Sequence, residues 1–584
     1  MLDLRNAVRH SADVCIIGGG MSGLIAAIAA ARHGSRVLLM HDRPVLGGNA
    51  SSEIRMWIRG AAGAENRETG ILQEIELENI YRNPTMNYSL WDSVLLQFVM
   101  QEENITLLLN CSCLACDMDG QKIKSVTGWQ LNTYTFHTVE AKVFMDCSGD
   151  SVLAPLTGAE YRVGREARAE YGEYAAPEVA DHKTMGNSCL LQARETDHPC
   201  PFIAPEWANK YPDDASMHDK DHNLRSTNFW WIELGGEQDT LKDTQELGIE
   251  LLKVALGVWD HIKNQGDHGA ENWELEWVGF LPGKRETRRY VGDYVLIQQD
   301  LEEGHAFDDT VAYGGWTMDN HMPEGFRYPG YSSHHIQVKV PYAIPYRSLY
   351  SKNIENLMFA GRNISASHMA MSSTRVMATC SVIGQAAGTA AALAIKHGCT
   401  VREVGQKHIC TLQNQLLTDN CFLPDFLRQV DRDAAVLSLP EEQAAVLQNG
   451  WERPHGENEN RILLPAGSDL TLTLKAPAQD KKLRVVLDTD FSRESIAMHK
   501  KYKTFAMRAH IYADTPPLKL PANLLKSCEI VCKMQDGSET RFGICDNHQA
   551  HLVLPLPNGT VSVTLAGMTA WAEGDIGLYA CDII

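Results

Sequence analysis

The stretch Val14-Cys15-Ile16-Ile17-Gly18-Gly19-Gly20-Met21-Ser22-Gly23, followed by the alanine-rich LIAAIAAA of residues 24–31, decides the fold. It reads as a strand, a glycine turn and a helix. Gly18 permits the tight turn, Gly20 lets the backbone approach a pyrophosphate, and Gly23 lets the helix pack closely on the strand. Met21 and Ser22 fall where a helix N-terminus offers free N–H groups to an anion. Arg32-His33-Gly34 ends the helix and SRVLLM (35–40) supplies the next strand, so a full βαβ unit surrounds the glycines.

The remainder of the unit bears on which dinucleotide is bound. The position at the end of the second strand, where an acid would accept hydrogen bonds from the adenosine ribose, falls on His41 with Asp42 beside it, and Asp42 takes the role. Arg43-Pro44-Val45-Leu46-Gly47-Gly48 then brings a second glycine pair against the pyrophosphate, which favours FAD over NAD. Asn49, Ala50 and Ser51 follow directly, and with Ser52 they are placed to donate hydrogen bonds near the inner end of the flavin. Glu53 and Arg55 lie just beyond.

Two distant segments complete the pattern. AKVFMDCSGD (141–150) is an apolar strand running into a small-residue turn at Ser148, Gly149 and Asp150, as where a chain returns to its nucleotide site. NLMFAGRN (356–363) is another, with Gly361 and Arg362 at its end. A long helix is expected from about Thr374, with Gly384, Ala387, Gly388 and Ala391 forming a small-residue face. Its start, with Arg375 nearby, would direct positive dipole toward the flavin.

These residues resemble the broad FAD-dependent oxidoreductase family, which has a glutathione-reductase-like FAD-binding fold. The motifs that carry the resemblance are RPVLGGNAS (43–51), DxSGD (146–150), GxRETRR (283–289), PYxIPYRSL (341–349), and NLxxAGRxxSASH running to GQAAG (356–388). The likeness spans roughly residues 10–430. It implies an FAD flavoprotein and does not name a substrate.

Composition agrees with an enzyme of several domains. The 584 residues can bury large cores, and 53 basic against 74 acidic residues give a net charge of −21. That charge argues against nucleic acid and against anionic membrane surfaces as partners. The fifteen cysteines are scattered and read as thiols in a reducing, cytoplasmic compartment. The one tight cluster, CSCLAC (111–116), reads as an ordinary strand, and no metal site is assigned. Apolar residues 14–31 imitate a secretory signal, but the nucleotide motif accounts for them better. No other apolar run of about 20 residues is read, so no membrane span is expected.

The expected architecture is α/β: a Rossmann-like FAD-binding domain with an inserted substrate domain, plus a C-terminal all-β sandwich. The first part of the FAD domain covers 1–150, the insertion 151–350, the closing part 351–430, and the sandwich with its linker 431–584. Residues 90–101 have helical spacing, and 105–144 read as strands with a turn at Asp119-Gly120. The insertion is rich in tryptophan (Trp230, Trp231, Trp259, Trp273, Trp277, Trp316), which suits a sugar or ring-shaped ligand as well as a core. Residues 412–427 read as helix and loop and 431–453 as linker. From about Arg461, apolar and polar residues alternate, as in LTLTL (470–474), LRVVL (483–487) and TVSVTL (560–565).

Flavin chemistry needs a group that moves a proton as the hydride moves. His368, between the last nucleotide strand and the following helix, is the first candidate. His334 and His335 are the second, and alternation would turn one of them inward. Arg285, Arg288 and Arg289 stand at i, i+3 and i+4, so a helix would gather them to hold a carboxylate or phosphate, and Arg288 joins the histidines as a catalytic candidate. The leading expectation is oxidation of a hydroxyl-bearing carbon of a small molecule, a sugar or glycoside, by hydride transfer to flavin N5. Alternatives are a flavin-dependent reductase of an activated C=C bond and a glycan-binding protein with a structural flavin. A homo-oligomer is compatible with either.

Overall fold

The computed structural model describes residues 7–63, 65–225, 227–489 and 510–584. The parts of the expected domain ranges outside these segments lie outside the described residues. Two compact units result. The first comprises Met1–Ala61, Asn87–Leu412 and Met507–Pro516, and the second Ala62–Met86, Gln413–Ala506 and Pro517–Ile584.

In the first unit, the apolar runs at Val14–Ile17, Val37–Met40 and Val143–Asp146 are buried along their whole length. Such runs belong in a parallel sheet covered on both faces. They form one, in the order Leu357–Phe359, Val143–Asp146, Val14–Ile17, Val37–Met40, Ile105–Leu108, with every pair parallel. Register sets Ile17 level with Met40 and Asp146, so three strands end together where the glycine turn begins. A helix over Tyr88–Met100 and a four-stranded sheet follow the expected pattern, with the chain turning at Gly120. CSCLAC lies on the strand Cys111–Asp119 of that sheet.

The helix Met21–Arg32 is buried except for its last residue. Against it lies Met377–His397, whose small-residue face has a steric reason: a Cβ at Gly384 would overlap the Ser22 carbonyl oxygen, and one at Gly388 that of Ala26. Met377–His397 is also long and apolar enough to cross a membrane by length and composition, which the sequence reading overlooked. It is almost wholly buried here. The single helix expected from Thr374 is two, His368–Thr374 and Met377–His397, because Val376 takes an extended conformation between them.

Residues 151–350 join the first unit as small sheets around the helix Thr244–Asn264. Trp231, Trp259 and Trp273 fill their core, whereas Trp230, Trp277 and Trp316 are half-buried. The arginine segment is not helical. Gly283–Lys284 pairs with Asn187–Ser188, and Arg288–Tyr290 pairs with Tyr161–Val163, so strand alternation puts Arg289 inward and Arg288 at the part-exposed position. His334 and His335 are both exposed, at the centre of the two-stranded ribbon Met318–His321 with Ser333–Ile336, whose buried positions are Ser333 and Ile336.

The second unit is a β-sandwich of two antiparallel sheets, five-stranded and four-stranded. Leu472, Ile530 and Val563 from one and Val485, Leu578 and Leu464 from the other share its core. The helix Ile71–Arg82 belongs to this unit and supplies Leu77 and Ile80 to the core, although the sequence order suggested the nucleotide domain. The expected linker 431–453 contains a strand, Ala435–Leu437, and a helix, Glu441–Leu447, because Ala435 and Leu437 pair onto Leu470–Leu474.

Candidate functional site

The glycine turn is a cradle. At Gly18, with φ +103°, a Cβ would lie 2.5 Å from the Cys147 carbonyl carbon, so no side chain fits. Gly47 N–H donates to Gly19 O at 2.9 Å, which brings the second glycine pair onto the first. A Cβ at Gly48 would stand 3.1 Å from the Gly20 Cα. Gly20 caps Met21–Arg32 without a side-chain hydrogen bond, leaving the N–H groups of the first turn to an external acceptor. Ser22 Oγ and Arg362 Nε are buried there without hydrogen-bond partners. Open backbone donors, glycines that keep the space clear and unmatched polar atoms suit a diphosphate, so these residues fit FAD.

His41 braces this cradle. Its Nδ1 accepts from Gly19 N–H at 3.0 Å, and its Nε2–H donates to Val45 O at 3.0 Å. Burial, reinforced by Arg43, pushes its pKa down to about 4, which keeps the ring neutral. Both nitrogens are therefore committed to the loops, and Asp42, exposed beside it, is left as the candidate for the ribose. Arg43 is half-buried with its guanidinium 3.5 Å from Glu53. Ala50 and Ser51 are buried in the short 3-10 turn that follows, where Ser51 Oγ donates to Gly48 O at 2.7 Å.

The return segments converge on one carboxylate. Asp150 accepts from Arg362 Nη2 at 2.6 Å, Lys284 Nζ at 2.6 Å and Thr287 Oγ1 at 3.1 Å. Burial pushes its pKa up, but Arg362 and Lys284 outweigh that and hold it below the usual range. Ser148 Oγ donates to the buried Asp146, and the Arg362 guanidinium lies across Gly149. Asn49 Nδ2 donates to Lys284 O at 3.0 Å, tying the second glycine loop to the same strand. Gly361, with φ +115°, sits over Ser22.

A buried charge cluster occupies the insertion beside His368. Glu286 accepts from His368 Nδ1 at 3.0 Å and also pairs with Arg289, which reaches Glu166 at 2.7 Å. The His368 N–H donates to Glu166, and Nε2 faces Asn320 Oδ1 at 3.0 Å. His368, 2% exposed, thus has both ring nitrogens engaged. Arg285 pairs with Glu233 at 3.2 Å, and Glu233 with His321 Nδ1 at 2.6 Å. The helical anion clamp expected of Arg285, Arg288 and Arg289 does not form. Two of the three are spent on internal carboxylates, and Arg288 lies over the Tyr161 ring.

The cluster opens at Asp319. His321 Nε2 approaches it at 3.3 Å, Arg375 Nη2 at 3.4 Å and His335 Nε2 at 3.7 Å. Burial works against ionisation, but His321, Arg375 and His335 hold the Asp319 carboxyl well below the usual range. His335 Nδ1 lies 3.0 Å from Thr317 Oγ1. Arg375, expected near the flavin, is anchored here by Asp319, and its Nε is buried without a hydrogen-bond partner. Trp230 packs edge-on against His321 and Tyr331, and Tyr331 adjoins His335. Glu166, Glu173, Glu233, Asp319, Asn320 and His321 were not singled out from sequence. They come from separate segments with no shared spacing.

The parallel sheet and its glycine cradle define a dinucleotide-binding α/β protein. The chain belongs to the FAD dependent oxidoreductase family, which matches residues 13–416. It is an oxidoreductase with FAD as its cofactor. No curated protein matches the sequence. Among solved structures it is similar to a geranylgeranyl bacteriochlorophyll reductase-like protein from Thermoplasma acidophilum, at 13% identity over 71% of this chain and 84% of that one, with a TM-score of 0.29. An anhydrotetracycline hydroxylase from Streptomyces rimosus matches at 10% identity, 70% and 69% coverage and a TM-score of 0.30. The quinol fumarate reductase FrdA of E. coli matches at 13%, 73% and 76% coverage and 0.25.

Proposed function

We propose that this flavoenzyme oxidises a hydroxyl-bearing carbon of a small substrate, a sugar or glycoside, with His335 as the base. The observation that carries the reading is the pairing of His335 with Asp319: a part-exposed imidazole facing a carboxylate kept ionised by Arg375 and His321. His335 takes up the hydroxyl proton, and the Asp319 carboxylate beside it stabilises the imidazolium that forms. Thr317 Oγ1 holds the ring through Nδ1. Bound FAD supplies the two-electron acceptor for the hydride leaving the carbon.

His368 becomes a positioning residue in this reading. Glu286 and Asn320 hold its ring from both sides, and Asn320 lies next to Asp319 on the same strand. Trp230, half-buried beside His321 and Tyr331, supports a sugar ligand, since aromatic faces stack on pyranose rings, whereas Trp277 lies under Arg55 and Trp231, Trp259 and Trp273 belong to the core. Fifteen free thiols support a reducing, cytoplasmic location, which cell fractionation tests.

The test is anaerobic titration of the yellow protein with sugars, glycosides and hydroxy acids, followed near 450 nm. Bleaching by one class, slowed by about 10²–10⁴-fold in His335→Ala and Asp319→Asn, supports the reading. Bleaching that persists at the same rate in both variants overturns the base. A chemically reduced flavin reoxidised by enoates and never bleached by alcohols would replace oxidation with C=C reduction.

A further inference from the structure

Outside the flavin and Asp319 sites, four side chains of the insertion converge: Asp214, His222, His261 and His268, whose ligating atoms all lie within 4.8 Å of one another. We infer that they form a tetrahedral zinc site that clamps the segment 214–222 to the C-terminal end of the helix Thr244–Asn264. His261 Nε2 is 3.0 Å from Asp214 Oδ1, His222 Nε2 is 3.7 Å from the same oxygen, and His222 Nε2 is 3.3 Å from His268 Nδ1. Four donors held about 2.0–2.1 Å from one zinc ion stand roughly 3.3 Å apart; these three separations already lie near that spacing, and the widest in the set, up to 4.8 Å, would have to contract on binding.

Proton placement strengthens the case. His261 Nδ1 faces the Tyr211 carbonyl at 2.8 Å, and His222 Nδ1 faces the Lys220 carbonyl at 2.8 Å. A carbonyl only accepts, so each Nδ1 carries the proton and each Nε2 presents a lone pair. Those lone pairs point at a carboxylate and at a third imidazole. The His261 lone pair therefore meets a carboxylate, acceptor against acceptor, and a cation held between them would satisfy both. A divalent cation among the four donors would take the lone pairs of both rings and the carboxylate together. Ring N–H groups donated to backbone carbonyls are also the usual support of metal-bound histidines.

Three imidazoles and a carboxylate, with no thiolate, suit zinc. Four protein donors fill its coordination shell, so the role is structural rather than catalytic. The clamp has a target. Lys220, two residues from His222, donates to Tyr328 O at 2.8 Å and to Gly330 O, next to Tyr331. The site is thus linked by one side chain to the loop that carries the aromatic wall beside His335. Its ligands come as two pairs, Asp214 with His222 and His261 with His268, from stretches well separated in the sequence.

Metal analysis of tag-free, flavin-loaded protein tests the assignment. About one zinc per chain is expected, falling below about a tenth in Asp214→Asn and in His268→Gln while flavin content stays unchanged. Chelator-stripped wild type should lose several degrees of Tm and regain them with zinc alone, and neither variant should respond. Asp214→Asn keeps the shape of an exposed residue, so folding failure does not mask the result. A wild type that holds no zinc and shows no zinc-dependent Tm overturns the proposal. So does zinc retained at full stoichiometry in both variants, which would locate it elsewhere.

Discussion

Replacing Gly384 by alanine should loosen both the helix pair and the cofactor. The added Cβ falls more than an ångström inside van der Waals contact with the Ser22 carbonyl oxygen, a backbone atom that no rotamer change can move. The two helices must part. Overpacking of this kind costs about 1–3 kcal/mol, partly offset by the better helix propensity of alanine, about 1 kcal/mol. The net loss, about 1 kcal/mol and at most about 2, corresponds to a Tm drop of roughly 2–4 °C. Gly388→Ala makes the same clash one turn away, against Ala26, and should cost a similar amount. The two differ in their reach to the nucleotide. Ser22 is the second residue of the helix whose N-terminus faces the glycine cradle, so only Gly384→Ala should weaken FAD binding, by about tenfold or more. Differential scanning fluorimetry with and without added FAD, and flavin titration of the apoprotein, read both effects. Unchanged Tm in both variants would refute the packing argument. Equal loss of FAD affinity in both would refute the link through Ser22.

Three other outcomes are expected. His41 has a folded pKa of about 4 against an ordinary 6.5, so its contribution is complete above pH 6.5 and is lost as pH falls toward 4, where the unfolded chain takes the proton first. The loss is at most about 3 kcal/mol, and Tm should fall less between about pH 7.5 and 5 in His41→Gln than in wild type; parallel curves would reject it. Lys284→Met leaves Asp150 with fewer cations, so flavin retention on dilution should drop about tenfold, and undiminished retention would contradict the ion-pair account. In the sandwich, Arg484 is fully buried with Glu452 at 2.7 Å and the Thr418 carbonyl at 2.8 Å. Arg484→Ala should destabilise that unit by about 3–5 kcal/mol in chemical denaturation, and a loss below 1 kcal/mol would count against it.

The nucleotide site was legible because its demands are local. A tight turn, a close backbone approach and a helix start each require glycine within six residues, and Gly18, Gly20 and Gly23 meet them in the structure as in the sequence. The sandwich was legible through alternation at Leu470–Leu474 and Thr560–Ala570. The charge cluster was not, because Glu166, Glu233, Glu286, Asp319 and His368 become neighbours only through tertiary pairing. The arginines misled for a related reason: i, i+3, i+4 spacing implies one face only on a helix, and here Arg285 is buried in the connection between two short strands, with Arg289 inside and Arg288 at the margin of the second. The break at Val376 had no glycine or proline to announce it.

The contact of Lys284 with Asp150 has a consequence for engineering. Lys284 is contributed by the insertion, yet its partner terminates a strand of the cofactor fold, and Asn49 from the second glycine loop grips the backbone of the same lysine. Substrate range in this scaffold therefore cannot be exchanged as a cassette. A transplanted insertion that brings new aromatic walls but no cation at this position would arrive with a weakened hold on the prosthetic group, and a library built by such grafting should be screened for colour before it is screened for turnover.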